Sequence, residues 1–181
     1  MRVAASAYGV SVTSETAISP TSEALGADPD RGPDTSRLDP PARRVVLTEV
    51  TERLIETDAH IAAVSGSSSG AVVTFAGVVR NHDGGRPVTS IEYVAHPTAA
   101  AVLARVVAEV TADSDAEAVA VSHRVGPLAV GEAALLVAVA GVHRAEAFAT
   151  AMRLVDEVKR ELPVWKRQIF TDGTDEWVAC P

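Results

Sequence analysis

The run Ala133-Ala-Leu-Leu-Val-Ala-Val-Ala-Gly-Val-His-Arg-Ala-Glu-Ala-Phe-Ala-Thr-Ala-Met-Arg-Leu-Val-Asp-Glu-Val-Lys-Arg-Glu-Leu-Pro-Val-Trp-Lys166 decides how this chain folds. Ala133 to Ala140 is apolar and reads as a strand, which Gly141 ends. From His143 to Leu162 the apolar residues return at helical spacing, and Pro163 stops the helix. Beyond the proline, Lys166 to Phe170 is extended again. With Phe148 set at zero and a step of about 100° per residue, Met152 falls near +40°, Val155 near −20°, Val158 near −80° and Leu162 near −40°. These residues form one apolar stripe, expected to face the core. Lys159, near +20°, and Arg144, near −40°, fall on the same side by the same estimate. A lysine there either extends its ammonium to water along the apolar surface or sits in a pocket with a lowered pKa.

Working outward, Val45 to Leu47 is a short first strand, and Asp58 is placed to cap a short helix ending at Val64. Gly66-Ser-Ser-Ser-Gly70 is a loop, Ala71 to Val79 a strand, and Asn81 to Gly85 a turn before the strand Val88 to Ala95. Pro97 suits the first turn of a helix reaching Ala112. Ala118 to Arg124 is a strand that Gly126-Pro127 breaks, Leu128 to Val130 a further extended piece, and Glu176 to Val178 the last. The order β-α-β-β-α-β-β-β-α-β-β predicts an α+β fold with largely antiparallel strands. Residues 1–43 hold half the prolines among Ser, Thr, Ala and Asp without periodicity, and are expected to be a disordered tail before a domain over residues 44–181.

Composition narrows the function. The formal net charge of −8 argues against a general nucleic-acid binder, which needs a basic field. One cysteine, Cys180, excludes an internal disulfide framework. No apolar run nears the roughly 18 residues of a membrane span, and no signal-peptide core stands at the N-terminus, so a cytoplasmic protein is expected. His82, His96, His123 and His143 lack metal-ligand spacing, and neither a phosphate loop nor a nucleophile elbow is present. No metal or cofactor is expected.

The chemistry should lie with lysine. Of 16 basic residues only Lys159 and Lys166 are lysines, seven positions apart and flanking Pro163. Arginine serves wherever a fixed cation suffices, whereas a desolvated lysine can give up its proton and act as acid, base or nucleophile. Arg80, at a strand end beside a turn, is a third candidate. Residues 144 and 159 are about 22 Å apart along a helix, so one pocket of one subunit cannot easily hold both. If both touch substrate, two chains must share the site.

Five stretches together resemble the MoaE family, the catalytic large subunits of molybdopterin synthase. They are Gly70-Ala-Val-Val-Thr-Phe-Ala-Gly-Val-Val-Arg-Asn-His82, Ser122-His-Arg-Val-Gly126 with Val130-Gly-Glu132, Ala140-Gly-Val-His-Arg-Ala-Glu-Ala-Phe148, Asp156-Glu-Val-Lys-Arg-Glu-Leu-Pro-Val-Trp-Lys-Arg167, and Trp177-Val178. The resemblance implies an α/β-hammerhead fold. It also implies a homodimer of large subunits within a heterotetramer, each carrying a small ubiquitin-like sulfur carrier whose Gly-Gly tail is a thiocarboxylate. The implied reaction moves two sulfurs onto cyclic pyranopterin monophosphate to form the molybdopterin dithiolene. By motif, Lys159 and Lys166 match the catalytic lysines. Arg80, His143, Arg144, Lys159, Lys166 and Arg167 match substrate-binding positions, with His143 and Arg144 supplied by the neighbouring subunit. Val155 stands where the family often carries Met. A non-catalytic module that binds a ubiquitin-like tail is the alternative, and the two lysines weigh against it.

Overall fold

The computed structural model describes residues 40–179. The expected tail lies outside the described residues up to position 39, and so does Cys180. Arg43 already belongs to the fold, since its N–H donates to the Ala116 carbonyl at 3.0 Å and its Nε to the Ser114 carbonyl at 2.6 Å.

Alternating runs rich in Val and Ala build a first sheet from β1 (Arg44–Thr51), β2 (Ala71–Val78), β5 (Ala116–Arg124) and β7 (Ala133–Gly141), in the order β1-β5-β7-β2. β1 pairs with β5 in parallel, and the other contacts are antiparallel. One face carries Val119, Val121, Val137 and Val139, buried under α2 (Ala99–Ala112) and α3 (Arg144–Glu161). The other face carries Ala118, Ala120, Ala138 and Ala140, whose small side chains admit Val64 of the short helix α1 (Thr57–Val64). The parity of the strands therefore sorts large residues to the two-helix side and alanines to the one-helix side.

A second, antiparallel sheet contains β3 (His82–Asp83), β4 (Arg86–Ala95), β8 (Val164–Phe170) and β9 (Asp175–Ala179), with β6 (Gly126–Ala129) also paired to β4. Val79, Val88, Ile91, Leu128, Ala134 and Phe170 form its own core.

The expected α+β class and antiparallel pairing hold, with local corrections. β3 is an extra strand: Gly84 (φ 54°) and Gly85 (φ 79°) turn the chain through two left-handed residues, so His82 and Asp83 pair with Pro87 and Arg86. Asp58 does not cap α1, because the helix already begins at Thr57 with Glu56 at the cap position. Pro97 lies two residues before α2, whose cap is Thr98. The strand ends at Arg124 as expected, but the chain becomes extended again at once: Gly126 (φ 82°) and Pro127 begin β6, where each opposes a residue of β4. The buried stripe of α3 is Ala147, Thr150, Ala151, Leu154 and Val158. Phe148 and Met152, expected inside, are 62% and 66% exposed. Alanines let the helix backbone settle on the sheet, and that contact rotates the two largest apolar side chains outward.

Candidate active site

Where the end of the first sheet meets the second, a cavity of about 390 Å³ opens. Each basic wall residue arrives by a different route. Arg80 follows the end of β2, Lys159 lies in the last turn of α3, and Lys166 projects from β8 beyond the Pro163 break. Alternation along β8 sends Val164, Lys166 and Gln168 into the cavity. Across the wall, β5 supplies His123, β4 supplies Ile91 and Tyr93, and β7 supplies Ala134 and Leu135.

Asp83 organises the charges. Its Oδ1 accepts from Arg80 Nη2 at 3.1 Å, and its Oδ2 lies 3.9 Å from Lys166 Nζ. The Asp83 carboxyl is held below its ordinary value, first by a hydrogen bond from Gln168, then by the charges of Lys166 and Arg80, against the opposing effect of burial. Lys166 is mostly enclosed, with 19% of its side chain exposed. Lys159 lines the cavity but is exposed, and it makes no hydrogen bond or ion pair with any described residue.

Nearby, Arg124 Nη1 lies 3.1 Å from Glu132 Oε2, which also accepts the Ala129 N–H at 2.9 Å. This pair ties the end of β5 to the loop after β6, and with it the backbone carrying His123.

Of the residues singled out from the sequence, Arg80, Lys159 and Lys166 share this cavity. His143 and Arg144 do not line it: His143 is the cap residue at the far end of α3, and both are exposed. Arg167 does not line it either. Strand parity puts it on the opposite face of β8, 2.7 Å from Glu92 and 5.9 Å from the ring centre of Trp177. The sequence reading missed Asp83, Tyr93, His123 and Gln168 as parts of the site. His123 had a signal: Val119, Val121 and His123 share one strand parity, and two valines followed by a histidine mark where a core face turns polar.

This α+β scaffold brings two lysines and an arginine to one cavity, with Asp83 paired to two of the three, a charge pattern suited to a small anionic molecule. The family model described as "MoaE protein" matches residues 50–161. The molybdopterin synthase catalytic subunit 1 of Mycobacterium tuberculosis is 36% identical over 131 residues, covering 72% of this chain and 88% of that protein. The crystal structure of molybdopterin synthase from Staphylococcus aureus superposes with a TM-score of 0.67 at 30% identity, covering 72% of this chain and 95% of the other. A complex of subunits 1 and 2 of the molybdopterin-converting factor from Helicobacter pylori shares the fold at 16% identity, with a TM-score of 0.58 and coverage of 73% and 88%. The chain belongs to the MoaE family.

Proposed function

We propose that this chain is the catalytic subunit of molybdopterin synthase, transferring sulfur from the C-terminal thiocarboxylate of a small ubiquitin-like carrier to cyclic pyranopterin monophosphate. The observation that carries this reading is the convergence of the chain's two lysines and Arg80 on one cavity, with a single carboxylate among them. The phosphate of the substrate meets Arg80 and Lys166, whose present counter-ion is Asp83. Lys159, free of any carboxylate, stands where an acyl thiocarboxylate and its acceptor would exchange protons. The small-subunit partner is in keeping with the two-subunit complex of the Helicobacter pylori neighbour. The expected setting of this biosynthetic step is the cytoplasm. Among the described residues no helix is long and apolar enough to cross a membrane.

A second copy of the chain completes the site. Arg144, Phe148, Met152 and Lys159 lie along one exposed stripe of α3, with Phe148 and Met152 as its apolar centre. If two such helices pack antiparallel about a two-fold axis beside Met152, Arg144 of one copy falls next to Lys159 of the other. The midpoint of positions 144 and 159 lies between Ala151 and Met152, so the apolar residues meet where the axis passes.

The test is direct. Purified chain, thiocarboxylated carrier and cyclic pyranopterin monophosphate are combined, and the dithiolene product is measured. Product should form with the native chain and fall by at least about 100-fold with Lys159→Arg, which keeps the charge but cannot give up its proton. Carrier binding without product from the native chain would favour the tail-binding module instead. Near-native turnover by Lys159→Arg would leave that position an electrostatic role alone.

A further inference from the structure

We propose that His123 is a substrate-recognition residue whose uncharged imidazole hydrogen-bonds the nitrogen heterocycle of the bound phosphate ester, leaving the phosphate to Arg80 and Lys166. This rests on the function proposed above and extends it from the phosphate to the ring.

The placement of His123 comes from strand register. On β5, Val119 and Val121 are fully buried beneath the helices, and His123 continues their row. Across the sheet, His123 pairs with Val50 on one side and Leu135 on the other, and Leu135 pairs with Gly77. His123, Leu135 and Gly77 all line the cavity. An apolar row therefore runs out of the core and ends in a cavity wall, and a histidine stands at its end.

The ring is 6% exposed, and its Nδ1 is buried without a hydrogen-bond partner. Buried polar atoms are almost always paired, so an exception requires a reason. His60, buried at 2% exposure on the other face of the sheet, shows what a structural histidine does in this fold. Its Nδ1 meets the Glu56 carbonyl at 2.9 Å and its Nε2 the Ser122 hydroxyl at 2.8 Å. Beyond a backbone contact with Arg124, His123 has no such pairing. Instead, the rings of His123 and Tyr93 meet edge to face at 5.3 Å, which fixes the imidazole plane against the wall.

The surroundings fix its charge. Arg80, Lys159 and Lys166 share the cavity with it, His82 stands at the rim, and Asp83 is already engaged by Arg80, Lys166 and Gln168. Burial pushes the imidazole down to about 4, with the Arg124 backbone opposing, so the ring is neutral at neutral pH. A neutral imidazole offers one donor and one acceptor. That pattern is a poor match for a phosphate anion beside three cations. It matches the N–H, carbonyl and ring-nitrogen groups along the edge of a pterin.

Two measurements test this on the full-length protein. In calorimetric titration, His123→Phe keeps an aromatic ring against Tyr93 but removes both nitrogens. It should weaken binding of cyclic pyranopterin monophosphate about 10-fold, the scale of one neutral hydrogen bond, while leaving inorganic phosphate affinity within 2-fold. In turnover, KM should rise more than kcat falls, and the shape of the pH profile between pH 6 and 9 should not change. In the native chain labelled with ¹⁵N-histidine, the His123 ring signals should move when the pterin substrate is added and stay in place with inorganic phosphate. That second measurement decides the matter even if His123→Phe does not fold. Native-like pterin affinity in the Phe variant, equal loss of pterin and phosphate binding, or unmoved His123 signals in a saturated complex would each overturn the assignment. Failure of the native chain to bind the pterin at all would instead overturn the proposed function, and this inference with it.

Discussion

Asp83 is the residue on which the charge balance of the cavity turns. It serves Arg80 and Lys166 together and leaves Lys159 unpaired, so the site carries excess positive charge in a chain whose net charge is −8. Such a local field attracts an anion that the molecule as a whole would repel. The lysines were legible in the sequence because composition isolates them, and Arg80 because it ends a strand. Arg167 lies outside this cavity because, in extended chain, residues 166 and 167 face opposite ways. His123 required the register of three strands, which no single segment contains. Its burial also has a consequence for stability. The native ring takes a proton only near pH 4, whereas the unfolded ring does so near 6.5. The unfolded state thus binds more protons between those values, and the stability present above pH 6.5 is lost as pH falls toward 4. The loss at pH 5, relative to pH 7.5, is about 2 kcal/mol from this group. His123→Phe should lack that contribution, so denaturant melts at the two pH values should differ less for the variant than for the native chain. An equal difference in both would show that His123 is not held neutral by the fold.

At the scale of the element, α3 and its junction with β7 carry most of the argument. The helix limits were read within a residue from Gly141 and Pro163, because these are backbone effects that do not depend on packing. Of its expected stripe, Val158 and Leu162 are buried and Val155 packs against the core, but Phe148 and Met152 are not, because a hydrophobic wheel weights size, while the sheet selects the residues that permit close approach, Ala147 and Ala151. The misread stripe is informative, since an apolar face left exposed on an otherwise well-packed helix marks a contact still to be made. The same junction sets a steric requirement at Gly70. Its N–H donates to the Gly141 carbonyl at 3.0 Å, and a Cβ built there would stand 2.3 Å from the Val142 carbonyl oxygen. Gly70→Ala should therefore cost about 1–3 kcal/mol, the range for overpacking, because backbone must shift to admit it. Gly66→Ala, in the same loop, would meet Ser69 Oγ at 3.6 Å and Arg44 Nη2 at 3.8 Å, ordinary contacts that leave stability nearly unchanged. Denaturant midpoints for the pair would check this, and equal midpoints would mean that the loop can move away from Val142.

At the scale of the whole molecule, the α+β class could be read from element order, but the division into two sheets could not. That division depends on β4 pairing with β6 and β8, segments distant in sequence, and with β3, a neighbour only two residues long. Sequence spacing separates Arg144 from Lys159 along one helix but leaves open whether both act in one site. The structure puts Arg144 at the far end of α3 from Lys159, about 22 Å away by helical rise. A site shared across a dimer has a consequence that a single-chain site lacks. Suppose that one inactive variant carries Arg144→Ala and a second carries Lys159→Ala. In a mixed dimer, one pocket holds both lesions and the other holds neither. Two inactive proteins should then regain activity on mixing, up to about a quarter of the native value if chains exchange at random, which requires the dimer interface to reopen. If each pocket were built from one chain, every pocket would carry a lesion and mixing would restore nothing. Differently tagged chains would show that exchange had occurred, and exchange without recovery would remove Arg144 from the site.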